Sequence, residues 1–135
     1  MKREIHGWHS PSLNKHMEIA VYGHYGFGLL LLPTAAADYL EYERFHLIGA
    51  ISRHIDAGKV KVFSINSINA ESWLNTHMHP RHKAIRHTQF NEYVYREVIP
   101  FIRAHTSEET PLYTCGASLG ALHSANLFFR RPDLI

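Results

Sequence analysis

Between Leu112 and Phe129 the chain passes from strand to helix through five residues, Gly116-Ala117-Ser118-Leu119-Gly120. The apolar run Leu112-Tyr113-Thr114-Cys115 enters this turn directly, and the apolar helical stretch 119–129 leaves it directly. So short a reversal needs room at its flanks, and glycines two before and two after Ser118 supply it by removing side chains that would collide across the turn. The turn is expected to hold the Ser118 backbone in a strained conformation and lift its hydroxyl out of the sheet edge. A helix N-terminus beneath the serine offers unpaired N–H groups and the positive end of a dipole, which favour an oxyanion. Ser118 is therefore the candidate nucleophile. The plainer alternative is a tight strand-to-helix turn whose small residues serve packing alone.

The remaining pattern places this turn in a larger sheet. Residues 3–10 and 16–23 alternate loosely around Ser10-Pro11-Ser12-Leu13-Asn14, which predicts an antiparallel strand pair. Residues 27–32 form a continuous apolar run, the pattern of a strand buried on both faces, and residues 60–65 form a second. Between them, Leu40, Phe45, Ile48, Ile51 and Ile55 recur at mostly helical spacing, predicting one helix over 39–57 with Asp38 as its cap and Gly58 as its stop. Residues 66–80 read as a polar loop holding Trp73. Residues 81–105 read as a long helix with Phe90, Val94, Val98, Phe101 and Ile102 as its buried stripe, kinked or divided at Pro100. The order β-β-β-α-β-α-β-α predicts an α/β fold, a mostly parallel sheet with helices on both faces, in a single domain over 1–135.

Composition excludes several alternatives. A hydrophobic fraction of 45% and a net charge of +2 exclude a disordered chain. With 14 Lys and Arg set against 12 Asp and Glu, no nucleic-acid partner is expected. One cysteine, Cys115, excludes an internal disulfide framework, and a strand position predicts it buried and inert. No apolar run follows Met1-Lys2-Arg3, so these residues do not read as a secretory signal. The longest apolar stretch is half of the roughly 20 residues a membrane span needs. A cytoplasmic location without membrane contact is the expectation.

From Cys115 to Leu134 the chain resembles the nucleophile segment of the esterase family of α/β hydrolases that includes esterase D, the enterochelin esterases and the antigen 85 mycolyltransferases. Trp8-His9-Ser10-Pro11-Ser12-Leu13 with Met17–Tyr22 resembles that family's opening hairpin. Leu30-Leu31-Leu32-Pro33-Thr34 stands at the place of its first buried strand. Ser67–Trp73 resembles the loop after the next strand, and Tyr93–Ile102 the helix before the nucleophile. The resemblance implies an α/β-hydrolase fold and serine esterase chemistry on a small-molecule carboxylic ester or thioester, through an acyl-enzyme at Ser118 and without a cofactor. It implies an oxyanion hole built from the Leu119 N–H and a second amide at Thr34 or Ala35. Here Pro33-Thr34-Ala35 departs from the family's His-Gly signature. Trp73 is a candidate for lining the substrate pocket, with loop packing as its equal alternative.

The rest of a triad does not follow. In α/β hydrolases it runs Ser, then Asp or Glu, then His. After Ser118 come only His123 and Asp133, in reversed order. His123 lies five positions on in the same helix and points away from the turn, while Asp133 lies about 20 Å off at the helix's far end. His123 reads as a packing or capping residue. The chain also stops where the family would enter its next strand, leaving the edge of the nucleophile strand unpaired. The expectation is an incomplete α/β-hydrolase domain, truncated after the nucleophile helix, with weak or no activity by itself. The alternatives are a partner chain or a homo-oligomer across that edge, or a noncatalytic α/β module acting through it.

Twelve histidines equal all the carboxylates together. The densest group is His77-x-His79-x-x-His82 with His87. A zinc site wants three or four ligands on a rigid frame with outer support. This group spans a loop and a helix start with no Cys or acid among its members, so no metal is assigned and a solvated loop is the reading. His77 and His79 remain as in-chain stand-ins for the absent triad base, since loops after parallel strands gather at one sheet edge.

Overall fold

The computed structural model describes residues 1–35, 37–74 and 76–135, and its five strands form one sheet. β1 (Arg3–Ser10) and β2 (Lys15–Tyr22) pair antiparallel from Arg3↔Tyr22 to Ser10↔Lys15. β2 runs antiparallel to β4 (Val60–Ile65), which runs parallel to β3 (Phe27–Leu32). β3 in turn runs parallel to β5 (Leu112–Gly116), so the order across the sheet is β1-β2-β4-β3-β5. Each parallel connection needs a crossover. α1 (Glu41–Arg44), α2 (Leu47–Ala50) and α3 (Ser52–Asp56) link β3 to β4. α4 (Pro80–Tyr93) and α5 (Ile99–His105) link β4 to β5, and α6 (Leu119–Arg130) follows β5.

Two apolar layers sandwich the sheet, because its central strands alternate faces residue by residue. Leu30, Leu32, Phe63 and Ile65 join Phe90, Val94, Val98, Ile102 and Leu127 under α4, α5 and α6. Leu31, Val60 and Val62 join Tyr42, Ile48 and Ile55 under α1–α3. No helix among the described residues is long and apolar enough to cross a membrane.

Four sequence expectations change or sharpen. The single helix over 39–57 is three short ones, broken where His46 takes φ 66° and leaves Phe45 72% exposed. Asp38 does not cap α1, whose N-cap is Leu40 without a side-chain cap; the Asp38 Oδ1 instead accepts the Leu40 N–H at 2.9 Å, an Asx turn that leads into the helix. The kink or division expected at Pro100 takes the form of a π-turn over 94–98, between α4 and α5. Proline lacks the N–H of a regular turn and its ring crowds the carbonyl four residues back, and the wider turn relieves both. That turn also aims Glu97 at the first hairpin, where its carboxylate accepts Trp8 Nε1–H at 2.7 Å and Ser10 Oγ–H at 2.8 Å. Finally, Cys115 is exposed rather than buried, because β5 lies at the edge of the sheet.

Candidate active site

The β3–β5 ladder ends at Leu32↔Gly116, and the turn begins there. Ser118 takes φ 56° and ψ −123°, a region a non-glycine residue enters only when its surroundings force it. The glycines explain the force. A Cβ on Gly120 would lie 2.7 Å from the Pro33 carbonyl oxygen and closer still to that of Leu32. A Cβ on Gly116 would lie 2.9 Å from the Gly120 Cα. The first turn of α6 is thus pressed against the ends of β3 and β5, and Ser118 occupies the apex. It is exposed, and its Oγ has no hydrogen-bond partner among the described residues. The Gly120 N–H bonds the Ala117 carbonyl at 2.9 Å and the Ala121 N–H bonds that of Ser118 at 3.0 Å. The Leu119 N–H, first in α6, has no such partner among the described residues, as expected of a helix start.

Two neighbouring side chains from α1 fix the backbone around this apex. The Tyr42 hydroxyl donates to the Leu32 carbonyl at 2.6 Å and accepts the Ala117 N–H at 3.0 Å. Burial is the main reason its phenol is pushed above the ordinary range. The Glu41 carboxylate, 3% exposed, accepts the Thr34 N–H at 2.7 Å and also the Thr34 hydroxyl. Of the two loop positions expected to offer a second amide, Thr34 is therefore already paired. Ala35 is half-buried, and its N–H is without a partner among the described residues.

His123 points away from Ser118 into the core, as its spacing predicts. It is 2% exposed, and its Nε2 donates to Asn69 Oδ1 at 2.8 Å. Asn69 Nδ2 in turn reaches the Thr34 carbonyl at 3.5 Å, which orients the amide and assigns the imidazole tautomer. The Nδ1 of His123 is buried without a partner among the described residues. The ring stacks on His87 at 5.6 Å and packs against Phe90 at 5.4 Å. Burial first, and the neighbouring His87 second, lower its pKa to about 4. It is a neutral packing residue at physiological pH. Asp133 lies past the far end of α6, held by Arg131 at 2.9 Å.

The other candidates are dispersed. Trp73 is 48% exposed and donates its Nε1–H to His87 Nδ1 at 3.3 Å, which ties it to α4. His79 Nδ1 accepts the Arg81 N–H at 3.1 Å and so caps α4. Among the described residues, no three His, Cys, Asp or Glu side chains converge to hold a metal ion. A groove of about 500 Å³ runs beside the free edge of β5, lined by Tyr113, Cys115, Ala121, Ala125, Phe128 and Ile135 among others. The Tyr42 and Glu41 contacts were not foreseen. Tyr42 and Ala117 stand 75 positions apart in the chain, and no local pattern joins them.

Neither known protein families nor curated proteins match this sequence. Solved structures do match its fold. Fluorophosphonate-binding serine hydrolase F of Staphylococcus aureus superposes with a TM-score of 0.75 at 17% identity, over 99% of this chain and 54% of that one. The S-formylglutathione hydrolase FrmB of Staphylococcus aureus gives 0.70 at 16%, over 99% and 54%. The ferulic acid esterase AmCE1/Fae1A of Anaeromyces mucronatus gives 0.70 at 14%, over 99% and 56%. The chain therefore has the α/β-hydrolase fold of these esterase-type structures and spans about half their length.

Proposed function

We propose that the chain carries the nucleophile of an esterase-type serine hydrolase. Ser118 Oγ attacks the carbonyl carbon of a carboxylic ester or thioester. The oxyanion that forms is met by the Leu119 and Ala35 amides. Collapse expels the alcohol or thiol and leaves an acyl-enzyme, which water hydrolyses. The observation that supports this best is the exposed Ser118 at φ 56°, wedged between two glycines that tolerate no Cβ, with an unpaired amide directly after it. Among structures of the same fold, one is named for a thioester, S-formylglutathione, and another for esters of ferulic acid.

The step needs a base to take the Ser118 proton. His123 is turned into the core and Asp133 is held by Arg131. On this proposal the imidazole and carboxylate are supplied by polypeptide outside these 135 residues, with an imidazole of the 77–79 loop as the in-chain alternative. The chain alone should react on the order of 10⁶-fold more slowly than an enzyme with its triad, keeping roughly 10³–10⁴-fold over water through the turn and its amides. Prolonged incubation with a fluorophosphonate probe should label Ser118 slowly, and Ser118→Ala should abolish the label. Rapid labelling would show that an imidazole of this chain activates Ser118. No label above the Ser118→Ala background, with no activated ester hydrolysed by a longer form of the protein, would end the enzyme reading.

A second reading has its own observation. The outer edge of β5 is unpaired and carries no charged residue within 112–116. A noncatalytic module that assembles through this edge would function unchanged as Ser118→Ala.

A further inference from the structure

The geometry points to the Glu41–Tyr42 pair as the element that positions the Leu119 and Ala35 amides relative to each other, an inference that rests on Ser118 being the nucleophile. The β3–β5 ladder stops at Leu32↔Gly116, so no strand pairing holds Ala117 to β3. Tyr42 adds the missing rung from α1. Its one hydroxyl proton goes to the Leu32 carbonyl and its oxygen takes the Ala117 N–H, one residue before Ser118. Tyr42 is 8% exposed, so water cannot readily replace the bridge.

Glu41, the preceding residue, does the same for the facing loop. Both the N–H and the hydroxyl of Thr34 end on its carboxylate. The loop that presents the Ala35 amide and the turn that presents the Leu119 amide are thus referenced to one peptide of α1. Oxyanion donors act only when fixed where charge develops, and errors of an ångström are costly. Other buried tyrosines do not share this role. The Tyr22 hydroxyl donates to Glu43 at 2.8 Å, and that of Tyr93 has no partner among the described residues.

The test compares the full chain with its Tyr42→Phe, Thr34→Val and Tyr22→Phe variants. The readouts are amide exchange at Ala117 and Ala35, the Ser118 Cα and Cβ chemical shifts, and the kinetics of Ser118 labelling by a fluorophosphonate. Tyr42→Phe should speed Ala117 exchange at least 10-fold and move the Ser118 shifts. It should also cut the maximal labelling rate about 10-fold while leaving the probe's apparent affinity nearly unchanged. Thr34→Val should cut labelling about 3-fold and speed Ala35 exchange. Tyr22→Phe should leave the turn and the labelling as in the parent. Unchanged Ala117 exchange and Ser118 shifts in Tyr42→Phe overturn the proposal, whether or not Ser118 reacts. So does labelling at the parent rate in both Tyr42→Phe and Thr34→Val. If Tyr42→Phe fails to fold, unaltered labelling and Ala35 exchange in Thr34→Val overturn it. Failure of the parent chain to label at Ser118 at all, with no activated ester hydrolysed by a longer form of the protein, overturns the nucleophile reading itself, and the catalytic role of the pair with it, even where Ala117 responds.

Discussion

Gly120 shows what a single position can dictate. With no side chain, it lets α6 descend until its backbone meets the carbonyls of Leu32 and Pro33. Gly120→Ala should therefore cost about 2–3 kcal/mol of stability in urea denaturation, because the colliding partners are backbone and cannot swing aside. Gly49 is the control. Nothing lies within 4 Å of a Cβ placed there, and the residue is helical. Gly49→Ala should be neutral or stabilising by up to about 1 kcal/mol in the same experiment. Ser118, Gly116 and Gly120 were legible in the sequence because their constraint is local, contained in one five-residue turn. Tyr42 and Glu41 were not, because their partners are brought to them only by the crossover from β3 to β4. Cys115 was misplaced for a related reason: burial of a strand residue depends on what pairs beside it, which the strand's own sequence does not specify.

At the scale of elements, α4, α6 and the loop after β4 meet through a small polar cluster inside an apolar interface. His123 from α6, His87 from α4 and Asn69 from the loop form it. Both imidazoles have lowered pKa values, His87 through burial and then Arg130, His123 to about 4. Linkage fixes the sign. An unfolded His takes its proton near pH 6.5, while folded His123 resists protonation until about pH 4. Between these values the unfolded state binds more protons, so stability is full above about pH 6.5 and falls as pH drops toward 4. Thermal denaturation should show that loss, on the order of 2 kcal/mol, and His123→Gln should flatten much of it. An undiminished slope in His123→Gln would place the titration elsewhere. Helix periodicity located both crossovers, and proline chemistry announced the break before Pro100, but the break at His46 was missed. The break at His46 comes from a left-handed backbone angle, and the π-turn before Pro100 from how the chain absorbs a missing donor. Neither leaves a mark in hydrophobic spacing.

For the molecule as a whole, the decisive feature is the free edge of β5. The sheet is complete on its inner side, where β3 and β4 are flanked by strands and covered on both faces. On its outer side, Tyr113 is 56% exposed and Cys115 is exposed, with Phe128 and Ile135 lining the groove beside them. Natural sheets blunt such edges with charges, prolines or bulges, and residues 112–116 carry none. The matched structures hold nearly as much chain again, since 99% of this one covers only 54% of theirs. We propose that this exposed, uncharged edge beside an apolar groove takes up another strand, and in its absence a second copy of the chain. Light scattering should show association of the 135-residue chain that rises with concentration. Tyr113→Lys, which sets a charge on the edge without entering the Ser118 turn, should weaken that association at least 10-fold. A variant that associates as the parent does would show that the contact lies elsewhere. A parent chain that stays monomeric at every concentration would show that its own side chains already shield the edge. Should a polypeptide that completes the sheet suppress association and accelerate Ser118 labelling together, one edge would account for both the fold's incompleteness and the missing base.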